Sequence, residues 1–182
     1  MRKIFSHTFS GPEADLVSEC IRNNRVAQKA LFEKYKNAMY STALRIIGNT
    51  VEAQDVLQET FIDVFENISS FRFESTLGAW IKTILIRKAL RRLKLDRNHE
   101  TLEKAEELKG EDFKDEFTGE YLEKAIQSLP ESARAVFLLI EVEGYKHKEV
   151  AAMLNITEGT SKSQLHYSKS LLQKKLYQLY KS

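Results

Sequence analysis

Gly144-Tyr-Lys-His-Lys-Glu-Val-Ala-Ala-Met-Leu154, Asn155-Ile-Thr157 and Glu158-Gly-Thr-Ser-Lys-Ser-Gln-Leu-His-Tyr-Ser-Lys169 succeed one another without a break. The first piece reads as a short helix over 146–154, entered after Gly144. The second is a three-residue turn in which Thr157 can cap the next helix, and the third opens that helix, over 157–179. Two short helices joined this way form a helix-turn-helix, whose second helix enters the DNA major groove. Ala151 and Ala152 suit a close helix crossing, and Ile156, Leu165, Leu171 and Leu172 suit a core. Thr160, Lys162, Ser163, His166, Tyr167 and Lys169 are left as the DNA-facing set. No Arg stands among them, so base reading there leans on Lys162 and hydroxyls. A helical hairpin that binds protein, or nothing, fits the same pattern.

Outward from this motif the chain stays helical. Upstream, the spacing predicts helices at 120–128 and 131–142, with Pro130 at the start of the second. In the first half it predicts a short helix from Pro12 to about Arg22, then helices over 26–47, 52–68 and 76–95, with a loop at 69–75. In the second of these Val26, Ala30, Leu31, Tyr35, Ala38, Met39, Leu44 and Ile46 recur every three or four positions. In the third Leu57, Phe61, Val64, Phe65 and Ile68 form one apolar stripe. Only 7 Gly and 2 Pro in 182 residues leave too little punctuation for a β-rich fold. The expected fold class is therefore all-α: two small helical domains joined by an acidic linker, the C-terminal one a helix-turn-helix.

Charge marks the boundary. Residues 1–95 carry 15 Lys/Arg against 10 Asp/Glu, residues 96–120 carry 4 against 10, and residues 121–182 carry 9 against 6. The middle has few apolar anchors and reads as a solvated linker, with at most a fraying helix near Leu102 to Lys109. The expected domains are 1–95 and 121–182, with 96–120 between them. Arg87, Lys88, Arg91, Arg92, Lys94 and Arg97 put six cations in eleven residues, opposed only by Asp96. A solvated helix face explains that as well as a phosphate-binding one. On the helix before it, Asp55, Glu59 and Asp63 recur at i, i+4 and i+8, with no Lys or Arg between Val51 and Phe71. Like charges so placed cost a few tenths of a kcal/mol per pair. The stripe calls for a basic partner, inside or outside the molecule, unless it is simply solvated.

Several function classes are set aside. One cysteine, Cys20, excludes an internal disulfide framework and a thiolate metal cage. The longest apolar run, Ala135 to Ile140, is far short of the roughly 20 residues of a membrane span, so no membrane insertion is expected. The N-terminus shows no signal-peptide pattern, and the expected location is cytoplasmic. There is no phosphate-cradling Gly-rich loop, His-x-x-x-His pair or serine elbow, and the four His at 7, 99, 147 and 166 are scattered. The expectation is a protein that is not an enzyme, with no cofactor and no metal.

Three segments carry a resemblance. Gly144-Tyr, Glu149-Val-Ala and Leu154 through His166 resemble the promoter-binding domain of bacterial sigma factors of the extracytoplasmic-function group, although Gln164, Tyr167 and Lys169 stand where relatives often carry Arg. Asp55-x-x-Gln58-Glu59 resembles the sigma-factor helix that docks on the clamp coiled coil of the largest polymerase subunit. Phe71-Arg-Phe-Glu-Ser-x-x-x-x-Trp80 resembles the segment that melts and captures the minus-ten element. Trp80 as a plain core residue is the bland alternative. The resemblance spans about 25–97 and 121–177.

It implies a transcription initiation factor that binds core RNA polymerase and promoter DNA. Asp55, Gln58 and Glu59 would meet the polymerase, with Phe61, Ile62 and Phe65 divided between that surface and the core. Arg72, Phe73, Ser75 and Thr76 would form the pocket for a flipped base, with Trp80 nearby. Lys82, Thr83, Arg87, Lys88 and Arg91 would follow the strand, Arg87 standing where many relatives carry Asn. Thr160, Lys162, Ser163, His166, Tyr167 and Lys169 would face the minus-thirty-five element. An anti-sigma factor is a further partner the resemblance implies, although no residue identifies one. Two rivals stay open: a dimeric helix-turn-helix regulator acting without polymerase, and an adaptor that never touches DNA.

Overall fold

The computed structural model describes residues 11–97 and 119–180, without the side chains of 94–97, 120 and 178–180. Most of the expected linker, its fraying helix, and the side chains of Lys94 and Arg97 lie outside the described residues. Eight α-helices are described: α1 (Pro12–Ile21), α2 (Arg25–Ile47), α3 (Thr50–Asn67), α4 (Leu77–Arg97), α5 (Gly119–Gln127), α6 (Glu131–Phe137), α7 (His147–Leu154) and α8 (Glu158–Tyr180). No strand occurs among the described residues.

Local chemistry fixes the boundaries. The Asn24 side chain accepts from the amides of Val26 and Ala27 at 3.0 and 3.4 Å and starts α2. Gly48, at φ 82°, ends it in the left-handed conformation that a side chain resists. Asn49 then caps α3 through the amides of Val51 and Glu52. Thr76 accepts from the amide of Ala79 at 3.2 Å and starts α4. Helices α2, α3 and α4 bury Leu31, Ala43, Ile46, Ala53, Val56, Val64, Leu77, Ile81, Leu85 and Ile86 in one core. At the α2–α4 crossing, a Cβ on Gly78 would lie 3.0 Å from the Tyr35 ring, so a larger residue there requires the ring to give by a few tenths of an ångström. Helix α1 is fastened on by Glu13, which accepts from the Tyr35 hydroxyl at 2.7 Å and from Lys34 at 3.2 Å.

The expected apolar face of α2 needs correction. Val26, Ala30 and Ala38 are exposed, Val26 at 78%. The buried face is Ala27, Leu31, Met39, Ala43, Ile46 and Ile47. Val26 is one residue, about 100° of rotation, from the buried Ala27. Ala152 is exposed beside buried Ala151 for the same reason.

In the second half Leu129, Ala133, Val136, Leu139, Val150 and Leu172 are buried. The regular helix expected over 131–142 stops at Phe137 and passes into a π-helical turn, Leu138–Val142. There the Glu143 amide reaches back to the Leu138 carbonyl at 3.0 Å. The turn sets Glu141 against Lys169 and Glu143 against Lys82, each pair at 2.9 Å. Between α7 and α8, Asn155 takes φ 54°, and Thr157 accepts from the Thr160 amide at 3.0 Å, capping α8 as expected. His147 Nδ1 lies 2.9 Å from the hydroxyl of Ser161, which is wholly buried, tying the two helices together.

The two halves touch. Arg134, 8% exposed, reaches from α6 to the carboxyl end of α2. Its guanidinium donates to the Ile47 carbonyl at 2.9 Å, to the Ile46 carbonyl at 3.3 and 3.4 Å, and to Gln127 of its own half at 2.9 Å. Burial lowers its pKa from the ordinary arginine value. Around it Arg45 pairs with Glu123 at 3.0 Å, and the Gln127 side chain donates to the Leu44 carbonyl at 3.4 Å. Further along, Leu90 and Leu93 of α4 and Ala135, Val136, Leu154, Ile156, Thr160 and Gln164 of the second half line a cavity of about 240 Å³.

Candidate nucleic-acid interface

On α3, Asp55 and Glu59 have half of their side-chain surface in solvent, and Gln58 is exposed. Ile62 is 56% exposed and Phe65 half-buried, while Phe61 is 3% exposed and packs edge-on against Phe32 at 4.8 Å. The acidic stripe has a basic partner inside the molecule. Lys88 of α4 lies 2.8 Å from Asp63 and 3.8 Å from Glu59, and Arg92 lies 3.5 Å from Asp55 and 3.8 Å from Glu52. Only the Asp63 contact is of hydrogen-bond length; the others are looser ion pairs across a wet seam. Val51, 68% exposed, extends the face occupied by Asp55, Gln58 and Ile62 by one helical turn. As an uncharged residue at a helix start it gives no signal in the sequence.

The basic run is thereby split. Lys88 and Arg92 turn toward α3, while Arg87 and Arg91, one position before each, are exposed. Thr83 lies one turn before Arg87, its hydroxyl donating to the Ala79 carbonyl. In the preceding loop Arg72, Ser75 and Thr76 are exposed. Phe71 is buried at 7%, with the rings of Phe73 and Trp80 at 4.6 and 5.4 Å. Trp80 is half-buried, so it closes the local core and still presents an edge. Phe73 adopts φ 58°, costly for an aromatic residue, and is half-buried. Lys82 joins the second half through Glu143.

On α8 all six expected DNA-facing residues, Thr160, Lys162, Ser163, His166, Tyr167 and Lys169, are exposed. Ser163 donates to the Thr160 carbonyl and keeps its lone pairs outward, while Lys169 is held by Glu141. Three exposed sets therefore stand on one helical frame: an acidic and apolar face on α3, an aromatic loop with a basic ridge on α4, and a hydroxyl-rich face on α8. Among the described residues no group of three His, Cys, Asp or Glu is placed to hold a metal.

Two family models match, Sigma-70 region 2 over residues 31–98 and Sigma-70 region 4 over 119–172. The ECF RNA polymerase sigma factor EcfG of Rhodopseudomonas palustris is 31% identical over 141 residues, covering 74% of this chain and 77% of the relative. The chain belongs to the ECF RNA polymerase sigma factors. Sigma factor SigE of Mycolicibacterium smegmatis is 30% identical over 151 residues, 78% of this chain, and the chain spans 58% of that relative's length. The sigma factor RpoE of Bartonella quintana, solved with the anti-sigma factor NepR, superimposes with a TM-score of 0.53 at 22% identity, covering 82% of this chain and 96% of that one. This likeness shows a shared fold. The α3 face, the aromatic loop and α4 fall within the region 2 match, and the helix-turn-helix within the region 4 match. Membership makes this ECF sigma factor a transcription initiation factor that directs RNA polymerase to promoters. A regulator acting without polymerase is not favoured, because it would have no use for region 2. No described helix is long and apolar enough to cross a membrane.

Proposed function

We propose a division of labour among the three surfaces. Residues 1–95 dock on core polymerase through Asp55, Gln58, Glu59, Ile62 and Phe65. The same unit takes the minus-ten element, with Arg72, Phe73, Ser75, Thr76 and Trp80 around a flipped base and Lys82, Thr83, Arg87 and Arg91 along the strand, while Lys88, 2.8 Å from Asp63, is turned toward α3 instead. Residues 121–182 read the minus-thirty-five element through Thr160, Lys162, Ser163, His166, Tyr167 and Lys169, and residues 96–120 tether the two units.

The observation that carries this reading is the split of α4. Lys88 and Arg92 brace the acidic face of α3, and Arg87 and Arg91 are exposed on the same helix as Trp80, about two and three turns beyond it. One helix thus couples the polymerase-facing stripe to a surface suited to a single strand. Opening DNA costs roughly 1.4 kcal/mol per base step, and stacking on an aromatic ring returns about 1–3 kcal/mol per captured base. Capturing one or two bases offsets opening a similar number of steps. The phosphodiester chemistry belongs to the polymerase, and the protein works in the cytoplasm where polymerase and promoters are. An anti-sigma factor is included among its partners, as for the Bartonella relative.

The test is run-off transcription by core polymerase of the native host, with a parallel pull-down. The Asp55→Lys, Glu59→Lys double variant should lose polymerase binding and transcript while keeping its helical circular dichroism. Undiminished polymerase binding by a folded variant removes the docking assignment.

A further inference from the structure

The cavity of about 240 Å³ beside α4 has a chemistry that promoter reading does not use. Most of its wall is apolar: Leu90 and Leu93 of α4, Ala135 and Val136 of α6, Leu154 of α7 and Ile156 of the turn. The first four are each at most 7% exposed, so that side is shut off from bulk water. Glu131, Ser132 and Thr160 also line it, Thr160 exposed and the other two half-buried. Gln164 of α8 completes the lining, and its side-chain oxygen is buried with no hydrogen-bond partner among the described residues. A buried acceptor left unpaired costs about 1–3 kcal/mol, and folded chains rarely tolerate one. A partner from outside the chain accounts for it.

We propose that this cavity is a binding site for a small, neutral aromatic alcohol. Its ring packs against Leu90, Leu93, Val136 and Ile156, and its hydroxyl donates to Gln164 Oε1. Each part of that description has a physical reason. An apolar cavity of about 150 Å³ stays dry and admits benzene, so a larger one has room for a substituted ring. A water molecule needs two to four polar partners, and the apolar side of this wall offers it none. A rigid ring loses less freedom on entry than an alkyl chain of equal volume. A hydroxyl both donates and accepts, so it suits the Gln164 amide whichever way that group is turned. The Glu131 carboxylate in the lining disfavours an anion, and burial against leucines disfavours a cation. Because the wall joins α4 to α8, an occupied site is felt at both DNA-facing surfaces. That consequence rests on the functional reading above, while binding itself does not.

The experiment uses the full chain with isotope-labelled Leu, Ile and Val methyl groups, and phenol as the probe. Toluene, the same shape without the hydroxyl, is the comparison. Phenol should shift the methyl resonances of Leu90, Leu93, Val136, Leu154 and Ile156 saturably and leave Leu31 and Ile46, buried in the first half, unmoved. Ala135→Leu fills the cavity from its wall and should abolish those shifts. Gln164→Leu removes the acceptor and should lower the phenol-to-toluene affinity ratio about tenfold. The unliganded Gln164→Leu variant should unfold at or above the parent's midpoint, since an orphaned polar group has been replaced by an apolar one. Absence of saturable shifts overturns the site, and so do shifts that survive in a folded Ala135→Leu. If Ala135→Leu loses helical content, the ratio in Gln164→Leu carries the test. An unchanged ratio there overturns the pairing of the hydroxyl with Gln164. Failure of the parent to bind polymerase in a pull-down would instead sink the initiation reading, leaving the phenol titrations to decide on the site.

Discussion

Replacing Gly48 by Ala tests two physical effects that can be separated. The first is conformational: Gly48 holds φ 82°, and a Cβ in the left-handed region costs about 1–2 kcal/mol whatever surrounds it. The second is contact: the added Cβ would sit 2.9 Å from Arg134 Nη2 and 3.2 Å from its Cζ. Side-chain ends usually swing away cheaply. Here the guanidinium is held by the Ile46, Ile47 and Gln127 carbonyls, so relief means lifting a charged donor off buried acceptors. A hydrogen bond to a charged group contributes about 1.5–3 kcal/mol. Gly48→Ala should therefore cost roughly 3–4 kcal/mol in the parent but only about 1–2 kcal/mol in an Arg134→Met background. Urea unfolding of the four proteins, followed by circular dichroism with the slopes compared, gives the coupling as the difference. Equal losses in both backgrounds would refute the contact part of the argument.

Four further outcomes are expected. Lys162→Ala should weaken binding at the minus-thirty-five element by roughly 1–3 kcal/mol if the ammonium reads a base, measured by titration of matched and scrambled duplexes; an equal loss on both makes it a phosphate contact. Phe73→Gly relieves a side chain held at φ 58° but gives up its packing on Phe71, so the two effects oppose and net stability should change by no more than about 1 kcal/mol, while run-off transcription falls because the ring proposed to stack on a base is gone. The Tyr35 hydroxyl, and after it Lys34, hold the Glu13 carboxyl below the usual range. This small contribution, on a half-exposed group, should be full above the unfolded value of about 4.5 and lost as pH falls through the lower folded value; a flat difference between parent and Tyr35→Phe across urea titrations from about pH 6 to 3 would contradict it. Val51→Asp should weaken polymerase pull-down without unfolding α3, since Val51, 68% exposed, extends the proposed docking face.

The helices with a strong one-sided pattern are legible in the sequence. Leu57, Phe61 and Val64 of α3 and Ile68 just beyond its end are buried, and Thr157 caps α8, because an unbroken apolar stripe and a hydroxyl before a helix each have one economical arrangement. Where small residues crowd both sides of a helix the pattern loses phase, which is why it assigns Val26, Ala30 and Ala38 to a core they do not join. The π turn at Leu138–Val142 adds no residue type that a regular helix would refuse, so it leaves no mark in the sequence. The partner of the acidic stripe is out of reach because Lys88 lies 25 positions beyond Asp63 and meets it only when α3 and α4 pack. Arg134 has a visible signal: one cation inside the apolar run from Ala133 to Ile140 has to find acceptors somewhere.

Helix α4 carries part of its own counter-ion atmosphere. Lys88 and Arg92 are already matched by carboxylates of α3, so on meeting a nucleic acid strand they have few condensed salt ions to displace. Arg87 and Arg91, bare on the outer side, release theirs. Arg87 and Arg91 should then each contribute about −0.7 to the logarithmic salt slope of single-strand capture, and Lys88 and Arg92 little. A helix dense in positive charge would in this way hold DNA with only modest sensitivity to the ionic strength of its surroundings.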